Sequence, residues 1–227
     1  MQKYTLHLCL ILASILLIGA TEVEEKSIGV KWVNDGDTIV LSDGRHVRYI
    51  GINAPEIAHD NQKAEAFGYA AKKYNQSLVR SKKVRLEFDK ENYDRYGRLL
   101  AYIFLLDGTF VNKEMIEKGY AYALPRKPNV KYDRMLLQTQ RDAMSAKQGM
   151  WRNWNDKEGE EYLGSKKSKR FHLKTCPYGK RIKKRNRVFF TRKWDAFWSG
   201  YAPCKRCMRK TFEKRPLLPN PSVRLKF

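Results

Sequence analysis

The stretch IGVKWVNDGDTIVLSDGRHVRYIGI, Ile28 to Ile52, alternates apolar and polar residues and is interrupted twice, at Asp35-Gly36 and Asp43-Gly44. Alternation with a period of two marks a strand with one buried face, and Asp-Gly is among the strongest short hairpin signals. Three short antiparallel strands are expected here. Downstream, Glu65 to Val79 places Phe67, Ala70, Ala71, Tyr74 and Leu78 at helical spacing, which predicts a helix. Lys83 to Phe88 and Arg98 to Leu105 resume as strands around a turn at Tyr93 to Gly97. Val111 to Lys118 reads as a short helix stopped by Gly119, and Tyr132 to Ala146 as a last one before Gly149. The expected architecture is α+β, a small, mostly antiparallel barrel with three helices.

The same strands and turns carry chemistry. Asp35-Gly36-Asp37-Thr38, Arg48, Asn53-Ala54-Pro55-Glu56 and Asp94-Arg95-Tyr96-Gly97-Arg98 follow one another within 64 residues. A carboxylate cluster holds a hard divalent cation, a further glutamate activates water, and two arginines clamp a phosphate in bidentate fashion as charge builds on it. Singly, Asp35-Gly36 and Asp94 to Gly97 are explained as turns and Arg48 as a solvated strand residue. Their joint occurrence points to phosphodiester cleavage.

These motifs, with Leu99-Leu100-Ala101-Tyr102 and Val111-Asn112 before Gly119, resemble the staphylococcal nuclease (thermonuclease) family over residues 27 to 151. The resemblance implies a five-stranded OB-fold barrel with the site on one face. It further implies a calcium ion held by Asp37, Asn53 and the Ala54 carbonyl, Glu56 as general base, and Arg48 and Arg98 as phosphate clamps. Cleavage on the 5′ side of the phosphate, leaving 3′-phosphate ends, is the corresponding expectation. Tyr96, Lys127 and Lys131 are candidate substrate contacts, with Tyr122 beside them. One departure stands out: the nuclease that gave the fold its name has aspartate where this chain has Asn53, so one ligand charge is missing, which predicts weaker calcium binding or use of another divalent ion.

Charge separates the chain into two parts. Of the formal +22, residues 160 to 227 hold 21 basic against 4 acidic residues, a net +17. That segment implies a polyanionic partner, most simply DNA or RNA, with anionic lipid and cell-wall polymers satisfying the same electrostatics. Within it, His172-x3-Cys176 and Cys204-x2-Cys207 have the spacing of a tetrahedral zinc site. The alternative is a Cys204 to Cys207 disulfide beside a surface histidine. Together with Gly200-Tyr201-Ala202-Pro203-Cys204, the pairs resemble the small metal-binding domain of Ada-type alkylation-repair proteins. In that domain the first ligand position is the alkyl-accepting cysteine. Here it is His172, so structural zinc and nucleic-acid binding carry over and alkyl transfer does not.

The expected domains are a signal peptide (1–20), a nuclease-like OB domain (27–153), a linker (154–165), an Ada-like zinc domain (166–212) and a disordered tail (213–227). Lys3, the apolar run from Leu8 to Ile18 and Gly19-Ala20 form the signal pattern; the run is short for a membrane span, and an uncleaved anchor is the alternative. Export to the medium, periplasm or cell envelope follows, as a monomer with no stable protein partner. The rival functional class is an OB module that holds nucleic acid without cutting it.

Overall fold

The computed structural model describes residues 26–58, 63–156 and 159–208. The expected signal peptide and C-terminal tail lie outside them. Strands β1 (Ser27–Val33), β2 (Thr38–Leu41) and β3 (His46–Tyr49) form the antiparallel meander expected from the opening stretch. The Asp35 carboxylate accepts a hydrogen bond from the Asp37 amide (2.9 Å), and the Asn34 amide donates to the Thr38 carbonyl (2.9 Å), which reverses the chain between β1 and β2. After the short β4 (Ile52–Asn53) come helix α1 (Gly68–Val79), β5 (Lys83–Glu87) and β6 (Leu99–Leu105). The barrel closes in the order β1-β2-β3-β6-β5, with β5 returning to β1. One seam, β3 to β6, is parallel, because α1 and β5 bring the chain back running in the direction of β3.

The barrel interior is filled by the alternate residues of these strands, among them Ile39, Leu41, Val47, Tyr49, Val84, Ala101 and Ile103, all essentially buried. Helices α2 (Val111–Glu117) and α3 (Asp133–Ser145) follow, separated by β7 (Tyr122–Ala123), which pairs with β4. Asn112, fully buried, donates to the Ile50 carbonyl (2.8 Å) and accepts from the Ile103 amide (2.9 Å), pinning the turn after β3 to β6. A buried amide satisfied on both sides holds such a junction in one geometry.

The C-terminal unit is a four-stranded sheet in the order β10-β8-β9-β11. Its elements are β8 (Tyr162–Ser165), β9 (Arg170–Leu173), α4 (Pro177–Lys180), β10 (Arg187–Phe190), α5 (Lys193–Trp198) and β11 (Ala202–Pro203). The first of these lies inside the stretch read from sequence as a linker. The unit shares a core with the end of the barrel. Tyr122, Ala143, Met144 and Trp151 pack in one apolar cluster with Phe171, Ala196 and Phe197, and Trp151 meets Phe197 edge to face at 5.1 Å. Buried Gln140 ties the two units, accepting from the Ala123 amide (2.7 Å) and donating to the Phe197 carbonyl (2.5 Å). Among the described residues, no helix is long and apolar enough to cross a membrane.

Candidate active site and metal centre

The β1–β2 loop delivers Asp37 to a nearly water-free position, 5% exposed. Its Oδ2 accepts from the Ala54 amide (2.6 Å) and pairs with an Arg48 terminal nitrogen at 2.6 Å. The close approach of this loop to Ala54 and Ala71 requires Gly36, since a Cβ there would lie 2.4 Å from the Ala54 Cβ. Asn75 on α1 supports the loop from behind, donating to the Asp35 carbonyl (3.1 Å) and accepting from the Tyr49 hydroxyl (2.9 Å). Burial pushes the Asp37 carboxyl well above the usual carboxylate range; Asp35 and Glu56 push the same way, and Arg48 opposes them. A buried carboxylate beside further acids, with amide and carbonyl oxygens around it, is a donor set that suits a hard divalent cation.

Asn53 is also buried, and both ends of its amide are used. Arg48 donates to its Oδ1 (3.0 Å), while its Nδ2 donates to the Ala54 carbonyl (2.8 Å) and the Tyr122 hydroxyl (2.9 Å). The three oxygens expected to ligate calcium are thus adjacent, and all are engaged, those of Asp37 and Asn53 by Arg48 and the Ala54 carbonyl by the Asn53 amide, contacts that a cation would have to displace. Glu56 follows on a segment pinned at its neck. Its amide donates to the Glu65 carboxylate (3.0 Å), its carbonyl accepts from the Glu65 amide (2.9 Å), and Gly68 packs so tightly that a Cβ would sit 2.3 Å from that carbonyl.

Arg98 is set by its own turn. Asp94 accepts from the Tyr96 and Arg98 amides (2.9 and 3.1 Å) and grips the Arg98 guanidinium through Nε and a terminal nitrogen (2.9 and 2.8 Å). Burial alone would raise the Asp94 carboxyl, yet these hydrogen bonds hold it below its ordinary value, so it remains an anion facing Arg98. Glu56, Arg98, Asp35 and Thr38 line one groove of about 810 Å³, and Arg48 lies behind, bridging Asp37 and Asn53.

The expected substrate contacts are scattered. Lys131 lies outside this groove and pairs with Glu87 at 2.6 Å; Lys127 is exposed on the same loop; Tyr96 is 68% exposed beside Arg95 and Arg98. Tyr122 is 3% exposed and belongs to the shared core. Sequence reading did not find Lys205, whose Nζ reaches Glu56 Oε1 at 2.8 Å across 149 positions of chain.

The second cluster comes from β9, the start of α4 and the loop after β11. His172, Cys176, Cys204 and Cys207 place their ligand atoms within 4.8 Å of one another, and the first three are buried. Tetrahedral zinc with bonds of about 2.3 Å sets sulfurs roughly 3.8 Å apart, so the cluster fits with little movement. The three cysteines are free thiols. Burial works to raise the Cys204 thiol, but hydrogen bonds from His172 and from the amides of Cys207 and Arg206 bring it down to about 6, the direction a metal ligand needs.

The fold and the site define a class: a closed OB-type barrel whose first meander, β4 segment and β5–β6 turn gather carboxylates, an amide and two arginines around a groove. The chain belongs to the staphylococcal nuclease family. The family model described as staphylococcal nuclease homologue matches residues 46–153, ending before the C-terminal unit. The chain is 33% identical over 170 residues to a thermonuclease of Staphylococcus hyicus, covering 67% of this chain and 100% of the relative. It is 38% identical over 135 residues to a thermonuclease of Staphylococcus intermedius, covering 58% and 80%, and 39% identical over 122 residues to endonuclease YncB of Bacillus subtilis strain 168, covering 52% and 57%.

Proposed function

We propose that the protein is an exported, divalent-metal-dependent endonuclease that hydrolyses phosphodiester bonds of DNA or RNA. The observation that carries this reading is the groove shared by Glu56 and Arg98, with the Asp37–Arg48–Asn53 cluster directly behind it. Asp37, Asn53 Oδ1 and the Ala54 carbonyl would hold the cation, with calcium the expected ion. Bound there, it orients the phosphate and offsets charge on its oxygens. Arg48, which grips both the Asp37 carboxylate and Asn53 Oδ1, would turn its fork to the phosphate with those oxygens committed to the ion. Glu56 takes the proton of the attacking water, and Arg98, held by Asp94, donates to the oxygens that gain charge. The C-terminal unit would hold structural zinc at His172, Cys176, Cys204 and Cys207. Its basic surface adds phosphate contacts, and Lys205 steadies the Glu56 carboxylate.

Purified protein assayed on single- and double-stranded DNA and RNA, with calcium and with chelator, tests the reading. Cleavage that stops on chelation is expected, and Glu56→Ala should lower kcat about 100-fold, the lower range for loss of a general base. Metal-independent cutting, or full activity of Glu56→Ala, would overturn the mechanism. The ligand charge gives a separate expectation. Asn53→Asp restores a carboxylate beside Asp37, and the calcium concentration for half-maximal activity should fall about tenfold, one order among the affinities that ligand charge count tunes. A titration of activity against free calcium checks this, and an unchanged midpoint would remove residue 53 from the ligand set.

A further inference from the structure

The groove that holds Glu56 and Arg98 extends well beyond them, between β1 and α1, and its far lining has a composition of its own. Along β1 the register shifts between Val30, paired with Leu41, and Trp32, paired with Val40. The irregularity leaves Lys31 and Trp32, consecutive residues that a regular strand would send to opposite faces, both exposed and both lining the groove. Bulges of this kind re-aim side chains beside active sites. The Trp32 indole is 62% exposed; its N–H donates to Asn34 Oδ1 at 2.6 Å, which fixes the ring, and no other ring packs on its face among the described residues. Opposite stand Lys72 and Gln76, four residues apart on one side of α1, and Arg80, which caps its C-terminus. Lys31, Lys72 and Arg80 have no carboxylate partner among the described residues.

A fixed, open indole face beside three unpaired cations is the chemistry that holds a nucleotide chain. We infer that this groove is a nucleotide subsite adjoining the cleavage position, in which Trp32 stacks on an unpaired base next to the scissile bond while Lys31, Lys72 and Arg80 bind the phosphates that follow. The inference rests on the reading of Glu56 and Arg98 as the groups that act on the phosphodiester. It goes beyond that reading by giving the substrate a direction across the protein and a required form: the base at this position must be free of its duplex neighbours, since a base inside a duplex is already stacked on both faces.

The test is binding, kept apart from cleavage by working in the Glu56→Ala background. Anisotropy of a labelled single-stranded 8-mer DNA should show Kd rising roughly 5- to 140-fold on Trp32→Ala, the cost of one lost base stack, and recovering most of the loss with Trp32→Phe. Blunt duplex of the same sequence should change less than twofold. Lys72→Gln and Arg80→Gln should each reduce the slope of log Kd against log salt by about 0.7. Trp32 is exposed, so its replacement should leave the melting temperature unchanged, which separates lost binding from lost folding. Equal affinity of Trp32→Ala and its parent for the single strand would overturn the subsite, as would an equal loss on duplex. Full activity of Glu56→Ala would instead remove the catalytic reading and the subsite's place beside a scissile bond with it, while the binding series would still report whether Trp32 stacks.

Discussion

Replacing Arg98 by lysine is expected to lower kcat roughly 100- to 1000-fold, the range for losing one well-placed donor to developing charge. The size follows from how the arginine is held. Asp94 occupies Nε and one N–H of a terminal nitrogen, and the turn amides of Tyr96 and Arg98 fix Asp94 in its turn. Of five guanidinium donors, three remain for a phosphate, already oriented. Lysine offers one ammonium on a flexible stem, which has to choose between Asp94 and the substrate. Steady-state kinetics on a long single strand check this, with circular dichroism to confirm that the turn survives. A loss below tenfold would take Arg98 out of the role.

Cys204→Ser is expected to lower the melting temperature by about 8 to 16 °C. Zinc present at a thousand times its dissociation constant stabilises by about 4 kcal/mol, and each kcal/mol moves the midpoint of a chain this size by about 2 to 4 °C. Chelator should bring the wild type down by a similar amount and leave the variant where it is, and bound zinc should fall from one per chain toward none. Because Lys205 lies between the two cysteines of the last pair and reaches Glu56 at 2.8 Å, loss of the metal should also loosen the glutamate and reduce kcat. An unchanged midpoint with no zinc in the native protein would make the cluster three ordinary thiols and a histidine.

What could be read in advance, and what could not, divides by physical origin. The three strands around Asp35-Gly36 and Asp43-Gly44 were legible because strand periodicity and turn chemistry act within a few residues. The Asp94 to Gly97 turn beside Arg98 was legible for a related reason, since Asp94 closes it on amides two and four residues away. The exposure of Trp32 was hidden by a register shift, because one extra residue turns a side chain to the other face and leaves no mark in composition. Tyr122 was expected near substrate and is buried, as β7 is too short to show periodicity and its cover is supplied by residues after 160. Lys205 escaped entirely: two side chains 149 positions apart meet only because two folded surfaces do.

The aromatic layer around Trp151 and Phe197 also limits how this protein can be taken apart or recombined. A barrel severed at residue 153 would carry Tyr122, Met144 and Trp151 with their partners gone, and a C-terminal unit grafted elsewhere would take Phe171 and Phe197 with half of their packing left behind. Newly bared aromatic surface of that kind favours aggregation over independent folding. A substitution at Gln140 or Phe197 is therefore felt on both sides of the boundary.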